Sequence, residues 1–203
     1  MVPSAHLFIP GTTPDRPLMV MLHGSGGDER SLVPLAAELA PGTSTLAIRG
    51  TVAIDGGFAF FHRNPGRSID EVDIAARVPA LAEFIKTTCA DHGFTKRPVV
   101  VGFSNGAIMA AALLLTHPTL FSGAILLRPL SPFSQDRSIH LGGTPVLIID
   151  GEKDSRRSPG DGARLAERLN RAGATVTHRV LPVGHAVTDI DTRVARGWIS
   201  GAR

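Results

Sequence analysis

The predicted fold and reacting residue of this chain depend on the stretch Val99-Val100-Val101-Gly102-Phe103-Ser104-Asn105-Gly106-Ala107. Its β-branched run predicts a buried strand, and the small residues that follow predict a helix. Between them lies the pattern G-x-S-x-G, which in a strand–turn–helix context is typical of a nucleophile elbow. Such a turn strains the serine backbone and raises its hydroxyl above the sheet. We therefore predict that Ser104 is a nucleophile, and the alternative is a glycine turn that only joins two elements.

Short apolar runs alternate with amphipathic segments along the chain. The predicted strands are His6–Ile9, Leu18–Leu22, Thr45–Ile48, Val99–Gly102, Ala124–Leu127, Val146–Asp150 and Thr175–Leu181. The predicted helices are Ser31–Leu39, Ser68–His92, Asn105–Thr116, Asp161–Ala172 and Thr188–Ile199. This alternation predicts an α/β fold with a mostly parallel sheet and helices on both faces. We expect a single domain over residues 1–203 with no separate lid domain, since no insertion is large enough to form one.

Composition and charge exclude several classes of protein. The chain has 203 residues, of which 43% are hydrophobic, as in compact globular proteins. Its formal net charge is only +3 and its Lys and Arg residues are scattered, so we expect no nucleic-acid partner. No apolar run approaches membrane-spanning length and the N-terminus lacks the features of a signal peptide. We therefore expect a cytoplasmic protein without membrane insertion, and the sequence leaves a homodimer open.

A serine hydroxyl becomes a good nucleophile only when a base takes its proton, so a histidine is required. In this elbow context the chain order is serine, acid, histidine. His117 ends the helix after the elbow, where a cation suits the helix dipole, and His178 lies inside a predicted strand. His185 follows the last strand and precedes the last helix, so we predict that it is the base. His140 is the alternative, and a surface loop histidine is the non-catalytic interpretation of His185.

The carboxylate partner is expected in the loop after the strand Val146–Asp150. Asp154 lies beyond the strand end, where it could reach the second ring nitrogen of the histidine and fix its tautomer. Asp150 is the alternative, although it could instead organise the turn at Gly151. Asp161 is expected to serve the N-terminus of the next helix.

An acyl-transfer site also needs donors for the oxyanion. The residue after the nucleophile, Asn105, supplies one backbone N–H in such elbows, and we predict the second from Ser25 in the glycine-rich loop Leu22–Glu29. Each such donor stabilises the transition state by roughly 3 kcal/mol. The loop lacks the spacing and the Lys-Ser/Thr pair of a phosphate-binding loop. No residues have zinc-ligand spacing, so we expect neither a metal nor another cofactor.

Four ordered motifs carry a family resemblance. They are Leu22-His23-Gly24-Ser25-Gly26-Gly27-Asp28-Glu29, Gly102-Phe103-Ser104-Asn105-Gly106, Gly151-Glu152-Lys153-Asp154 and Gly184-His185. Together they resemble the phospholipase/carboxylesterase family of α/β-hydrolases, which includes small bacterial carboxylesterases and acyl-protein thioesterases and is related to dienelactone hydrolases. Arg49-Gly50, Phe60-Phe61-His62-Arg63 and Leu126-Leu127-Arg128-Pro129 are also similar to the bacterial branch. The resemblance spans residues 17–199.

The resemblance implies a single-domain α/β-hydrolase fold. It also implies that the catalytic residues are Ser104, Asp154 and His185. Ser25 and Asn105 would be the backbone donors. The segment Ser155–Pro159 departs from the family pattern, in which proline often follows the catalytic aspartate. Dienelactone hydrolases have a cysteine where this chain has Ser104, so lactone specificity does not carry over.

We predict a serine carboxylesterase that acts on a small-molecule ester, with a short acyl chain or a small aromatic group. The alternatives are an acyl thioesterase or lysophospholipase, and a non-catalytic ligand-binding protein on a hydrolase fold. Phe60, Arg63 and Leu130 are candidate substrate contacts. Core packing is an equal alternative for Phe60, and pairing of Arg63 with Asp70 or Glu71 is an alternative for the arginine.

Overall fold

A seven-stranded sheet forms the centre of the computed structural model, which describes residues 5–13, 15–136 and 138–201. Its strands are β1 His6–Ile9, β2 Met19–Leu22, β3 Thr45–Ile48, β6 Val99–Phe103, β7 Gly123–Leu127, β8 Pro145–Gly151 and β9 Thr175–Leu181. The strand order is β1-β3-β2-β6-β7-β8-β9. β1 is antiparallel to β3 and every other neighbouring pair is parallel. The predicted mostly parallel sheet is therefore confirmed.

Within the described residues, five α-helices cover both faces of this sheet. They are α1 Val33–Leu39, α2 Glu71–Asp91, α3 Asn105–Leu114, α4 Asp161–Arg171 and α5 Asp189–Gly201. Successive strand side chains point to opposite faces, so each strand feeds two cores. The core on one face contains residues of α2, α3 and α4, and the core on the other contains residues of α1 and α5. All ten residues of α3 are buried, which suits its small side chains and sets the elbow rigidly in the core.

The start of α2 differs from the sequence prediction. Ser68 has an extended backbone, and the helix begins at Glu71 with Asp70 as its N-cap. The Asp70 carboxylate accepts a hydrogen bond from Asp73 N at 2.9 Å. The predicted helix start at Ser68 is therefore wrong, because Asp70 provides an equally favoured cap two residues later.

A two-stranded hairpin was not predicted. β4 Val52–Ile54 pairs antiparallel with β5 Gly57–Ala59, around a turn at Asp55-Gly56. Three-residue strands are too short for periodicity to reveal, although Asp-Gly is itself a hairpin signal. The hairpin packs against the glycine-rich loop, since Gly26 N donates to Phe58 O at 2.9 Å and Phe58 N donates to Gly27 O at 3.0 Å.

Among the other elements, β1, β3 and β9 have the bounds that were predicted, and the remaining boundaries move by at most two residues. β6 includes Phe103, β8 extends from Pro145 to Gly151, and α1 begins at Val33 instead of Ser31. In the part of the chain that the structure describes, no helix is both long enough and apolar enough to cross a bilayer.

Candidate active site

Ser104 occupies the turn between β6 and α3 and has the strained backbone expected there. Its φ is 52° and its ψ is −107°, a combination that non-glycine residues rarely adopt. A Cβ on Gly102 would lie 2.6 Å from Gly106 O, and a Cβ on Gly106 would lie 2.1 Å from Leu22 O. Only glycine therefore fits at either position. Ser104 N donates to Leu127 O at 2.9 Å, which fixes the turn to the neighbouring strand.

His185 lies in the loop between β9 and α5, next to the elbow. Its Nε2 is 2.9 Å from Ser104 Oγ, and its ring packs beside the Phe103 ring with centroids 5.3 Å apart. The sequence places this loop after the last strand, and parallel strands bring their carboxyl ends to one edge of the sheet. His185 is therefore the histidine that the fold brings to Ser104.

Asp154 lies in the loop after β8 and completes a chain of hydrogen bonds. Its Oδ2 is 2.7 Å from His185 Nδ1, and its Oδ1 accepts from Arg156 N at 2.8 Å. Asp154 is buried. A carboxylate can only accept here, so we assign the ring proton to Nδ1, which leaves Nε2 as the acceptor for the Ser104 hydroxyl.

The surroundings of His185 keep its ring neutral. Burial lowers the pKa of His185 below its usual 6.5, and Asp154 opposes this effect through its hydrogen bond and charge. The positive charges of Arg157 and Arg156 lower the same pKa further. Near neutral pH, the Nε2 lone pair is therefore available to take a proton from Ser104.

Arg128 anchors the loop that carries His185. The side chain is fully buried, and its two terminal nitrogens donate to the two Asp191 carboxylate oxygens at 2.8 and 2.9 Å. Its Nε donates to Gly184 O at 3.0 Å, and Nη2 donates to Ala186 O at 3.3 Å. These bonds hold the residues on either side of His185. Arg128 was not predicted to have a role, although a charged residue directly after an apolar strand is a signal for one.

The glycine-rich loop after β2 is held in place from both sides. His23 is buried, and its Nε2 accepts from Gly50 N at 2.9 Å, so Nδ1 carries the proton and donates to Gly24 O at 2.7 Å. Glu29 forms a two-point ion pair with Arg49, with N···O distances of 2.6 and 3.0 Å. The loop therefore presents its backbone at the elbow in a fixed position.

The two predicted oxyanion donors have different surroundings. Ser25 lines the same cavity as Ser104, and its backbone N–H donates to no acceptor in the described ranges. Asn105 begins α3, and its backbone N–H has no partner within the described residues either. The Asn105 side chain is buried, and its Oδ1 accepts from Phe60 N at 2.7 Å. Asn105 thus ties the elbow to the segment after β5, a contact that the sequence analysis did not predict.

A cavity of about 550 Å³ opens at Ser104 and His185. Arg63 and Leu130 line it, but Phe60 does not. Phe60 is 3% exposed and packs against the His23 ring, with centroids 4.9 Å apart. Its position favours core packing over the predicted substrate contact, because its side chain does not reach the cavity.

Arg157 is a site residue that the sequence analysis missed. It belongs to the unusual segment Ser155–Pro159, and its Nη2 donates to Ser104 Oγ at 3.1 Å. Its Nε donates to Arg128 O at 2.8 Å. The departure of this segment from the family pattern was the available signal, but a loop sequence does not reveal which side chain turns inward.

None of the other candidate residues forms a hydrogen bond with Ser104 in the described ranges, although Asp161 lines the same cavity. His178 Nε2 is 2.7 Å from Asp150 Oδ2, on the face of the sheet that α4 covers. Asp161 begins α4 and accepts from Ser158 N at 2.8 Å, as expected of a residue at a helix start. His117 contacts Thr116 Oγ1 at 2.9 Å. No group of three His, Cys, Asp or Glu side chains that could hold a metal ion occurs among the described residues.

Comparison with known proteins places this geometry in a family. The model of the phospholipase/carboxylesterase family matches residues 6–199. Putative hydrolase MhqD of Bacillus subtilis strain 168 is 32% identical over 198 residues, which cover 97% of this chain and 98% of that protein.

Two solved structures agree with this match. The Bacillus cereus carboxylesterase has a TM-score of 0.95 and 32% identity, over 100% of this chain and 96% of that one. The Mesorhizobium loti carboxylesterase has a TM-score of 0.91 and 34% identity, over 97% and 94% of the two chains. The predicted fold class is therefore confirmed.

Proposed function

The chain belongs to the phospholipase/carboxylesterase family of α/β-hydrolases, and from this premise we propose that it is a serine carboxylesterase. It would hydrolyse carboxylic esters through an acyl-enzyme on Ser104, with His185 as general base and Asp154 as its partner. One observation carries the proposal. The hydrogen-bonded chain Ser104 Oγ–His185 Nε2–His185 Nδ1–Asp154 Oδ2, with distances of 2.9 and 2.7 Å, starts at a strained elbow.

The first half of the reaction forms the acyl-enzyme. Ser104 Oγ attacks the ester carbonyl carbon while its proton moves to His185 Nε2. The negative charge that develops on the carbonyl oxygen would be stabilised by the backbone N–H groups of Ser25 and Asn105. When the C–O bond to the alcohol breaks, His185 returns the proton to the leaving oxygen, and the alcohol departs neutral.

The second half releases the acid. A water molecule gives a proton to His185 Nε2 and attacks the acyl carbonyl carbon, and the proton then returns to Ser104 Oγ as the ester bond breaks. Asp154 stabilises the imidazolium in both halves and keeps the ring oriented. The proton that His185 accepts stays on the imidazole and is not passed on to Asp154.

The cavity suits small substrates. Its volume of about 550 Å³ lies within the range of small-molecule sites, and charged side chains line much of it. A long lipid chain would find few apolar side chains there, since Leu130 and Phe103 are the large apolar residues of the lining. We therefore propose esters with short acyl chains or small aromatic groups.

Hydrolysis of p-nitrophenyl esters of increasing chain length tests the proposal. The purified chain should release nitrophenol from the acetate and butyrate esters and much less from the palmitate ester. Ser104→Ala should lose at least about 10⁴-fold in kcat, because the nucleophile is removed while binding is retained. Thermal unfolding of the same variant checks that the fold is intact.

Three results would contradict the proposal. Preference for palmitoyl thioesters over short oxygen esters would assign a thioesterase. Full activity of Ser104→Ala would show that another residue is the nucleophile, and no turnover of any ester would favour a binding protein.

A further inference from the structure

The cavity at Ser104 carries an excess of positive charge. Its lining includes three arginines, Arg63, Arg156 and Arg157, and one carboxylate outside the hydrogen-bonded chain, Asp161. Arg63 comes from the segment after β5, whereas the other two arginines come from the loop after β8. Two separate parts of the chain therefore bring like charges to one small space.

Arg157 is the arginine that reaches the reacting atoms. Besides the contact with Ser104 Oγ at 3.1 Å, its Nε donates to Arg128 O at 2.8 Å and its Nη1 donates to Arg156 O at 3.1 Å. All three acceptors are uncharged. No ion pair joins Arg157 to a carboxylate in the described part of the chain.

Two of the carboxylates whose charges act on Arg157 are already engaged in other contacts. Asp154 accepts from His185 Nδ1 and from Arg156 N. Asp161 forms an ion pair with Arg164 and accepts from Ser158 N. Burial and the charge of Arg63 lower the pKa of Arg157 to about 10, so its guanidinium is still charged at neutral pH. A partly buried cation without a carboxylate partner is costly, and an anionic ligand would remove that cost.

We propose that this site selects esters that carry a carboxylate close to the scissile carbonyl, such as half-esters of short dicarboxylic acids, and that Arg157 binds that carboxylate. The inference rests on the proposed function, since it names the substrate class of the same site. Arg63 and Arg156 add positive charge to the cavity and favour entry of an anion.

The distances limit the length of the substrate. A carboxylate hydrogen-bonded to a guanidinium lies about 2.8 Å from its nitrogen, and a carbonyl carbon ready for attack lies about 3 Å from the serine oxygen. Since Arg157 Nη2 and Ser104 Oγ are 3.1 Å apart, the two ends of the substrate are close together. A spacer of about one to three methylene groups satisfies both contacts.

Monoethyl glutarate and ethyl pentanoate form a matched pair of substrates. They share the ethyl ester and a similar chain, and differ by a carboxylate in place of a methyl group. Hydrolysis is followed by pH-stat titration for the unmodified chain, Arg157→Gln and Arg157→Lys. The control is Arg171→Gln, which removes one positive charge from an exposed position on α4, away from the cavity.

For the unmodified chain, kcat/KM for monoethyl glutarate should exceed that for ethyl pentanoate by about tenfold or more, as expected for a charge-assisted contact. This ratio should fall to about one in Arg157→Gln, whatever the absolute rates are. Arg157→Lys should keep part of the preference for monoethyl glutarate, because the positive charge remains but the planar guanidinium, which can donate two parallel hydrogen bonds, is lost. Arg171→Gln should keep the full ratio.

Ligand binding provides a second readout that needs no turnover. Glutarate, measured by titration calorimetry, should bind to the unmodified chain more tightly than pentanoate, and this difference should disappear in Arg157→Gln. If both esters are hydrolysed equally by way of Ser104, the carboxylate preference is wrong and the proposed esterase function stands. If neither ester is hydrolysed but glutarate binds through Arg157, the esterase proposal fails and the anion site stands. The inference is overturned if monoethyl glutarate is not preferred over ethyl pentanoate and glutarate does not bind more tightly than pentanoate.

Discussion

Two histidine–carboxylate pairs connect the region of β8 with that of β9, and both have an N···O distance of 2.7 Å. In one, His185 binds Asp154 through Nδ1 and directs Nε2 to Ser104. In the other, His178 binds Asp150 through Nε2, on the face of the sheet covered by α4. Both pairs follow Ser104 in the chain, so chain order alone does not distinguish them.

The difference lies in what surrounds each pair. The Asp154 side chain is fully buried, whereas Asp150 and His178 are 17% and 24% exposed. His185 lies in a loop held by Arg128, whereas His178 lies within β9 and does not line the cavity at Ser104. A short contact between imidazole and carboxylate therefore does not make a general base. The second ring nitrogen must also reach a nucleophile.

Replacing each histidine in turn gives the largest expected effect. His185→Asn should lower kcat for p-nitrophenyl acetate by about 10⁴-fold, since Ser104 loses its base. His178→Asn should change kcat by less than about threefold, because His178 contacts no reacting group. Steady-state kinetics with circular dichroism of both variants checks this prediction, and equal losses would contradict the distinction between the two pairs.

The anchoring of the His185 loop predicts a smaller effect, measured as stability. Asp191→Asn leaves the fully buried Arg128 without a charged partner and should lower the free energy of unfolding by about 3–5 kcal/mol. The exposed Asp136 offers a matched control, and Asp136→Asn should lower the free energy of unfolding far less, because solvent screens exposed ion pairs. Urea unfolding measures both.

A similar cost for the two variants would show that Arg128 does not hold the loop. A positioning role also requires that kcat of Asp191→Asn falls more than its KM changes. The loss would reflect a misplaced His185, because Arg128 contacts the residues beside it and not the cavity.

The smallest expected effect concerns pH. His185 acts as a base only when neutral, and its pKa is lowered by burial and by the charges of Arg157 and Arg156. The acid limb of kcat/KM should therefore lie below pH 6.5. Arg157→Gln removes a positive charge, so it should raise the pKa of His185 and move this limb to higher pH. A pH–rate profile on ethyl pentanoate measures the shift, and a limb that moves to lower pH would contradict the electrostatic account.

Much of the fold could be predicted because its signals are local. Buried parallel strands are visible in the sequence as continuous apolar runs. The elbow is located by the strand that begins at Val99 and by the small residues after Asn105, and neither signal depends on a contact with a distant part of the chain. The short hairpin at Val52–Ala59 and the cap at Asp70 were missed, since each depends on one or two residues that compete with other patterns.

The site could be predicted only in part. Ser104, Asp154 and His185 follow from the motif and from the ends of the strands, which the fold brings to one edge. Arg157 could not be found in this way, because loop sequence does not determine whether an arginine turns inward. Arg128 was missed although its position directly after β7 was a signal. Phe60 is the opposite case. It was predicted to contact the substrate, but its side chain packs in the core.

Covalent labelling tests the central claim most directly. A fluorophosphonate phosphonylates a serine, with loss of fluoride, only when an adjacent base activates the serine hydroxyl. Mass spectrometry of the digested protein identifies the modified residue. The account predicts stoichiometric label on Ser104 in the unmodified chain and in His178→Asn, and almost none in His185→Asn. Label on another serine of the cavity such as Ser25, or equal labelling of the two histidine variants, would contradict it.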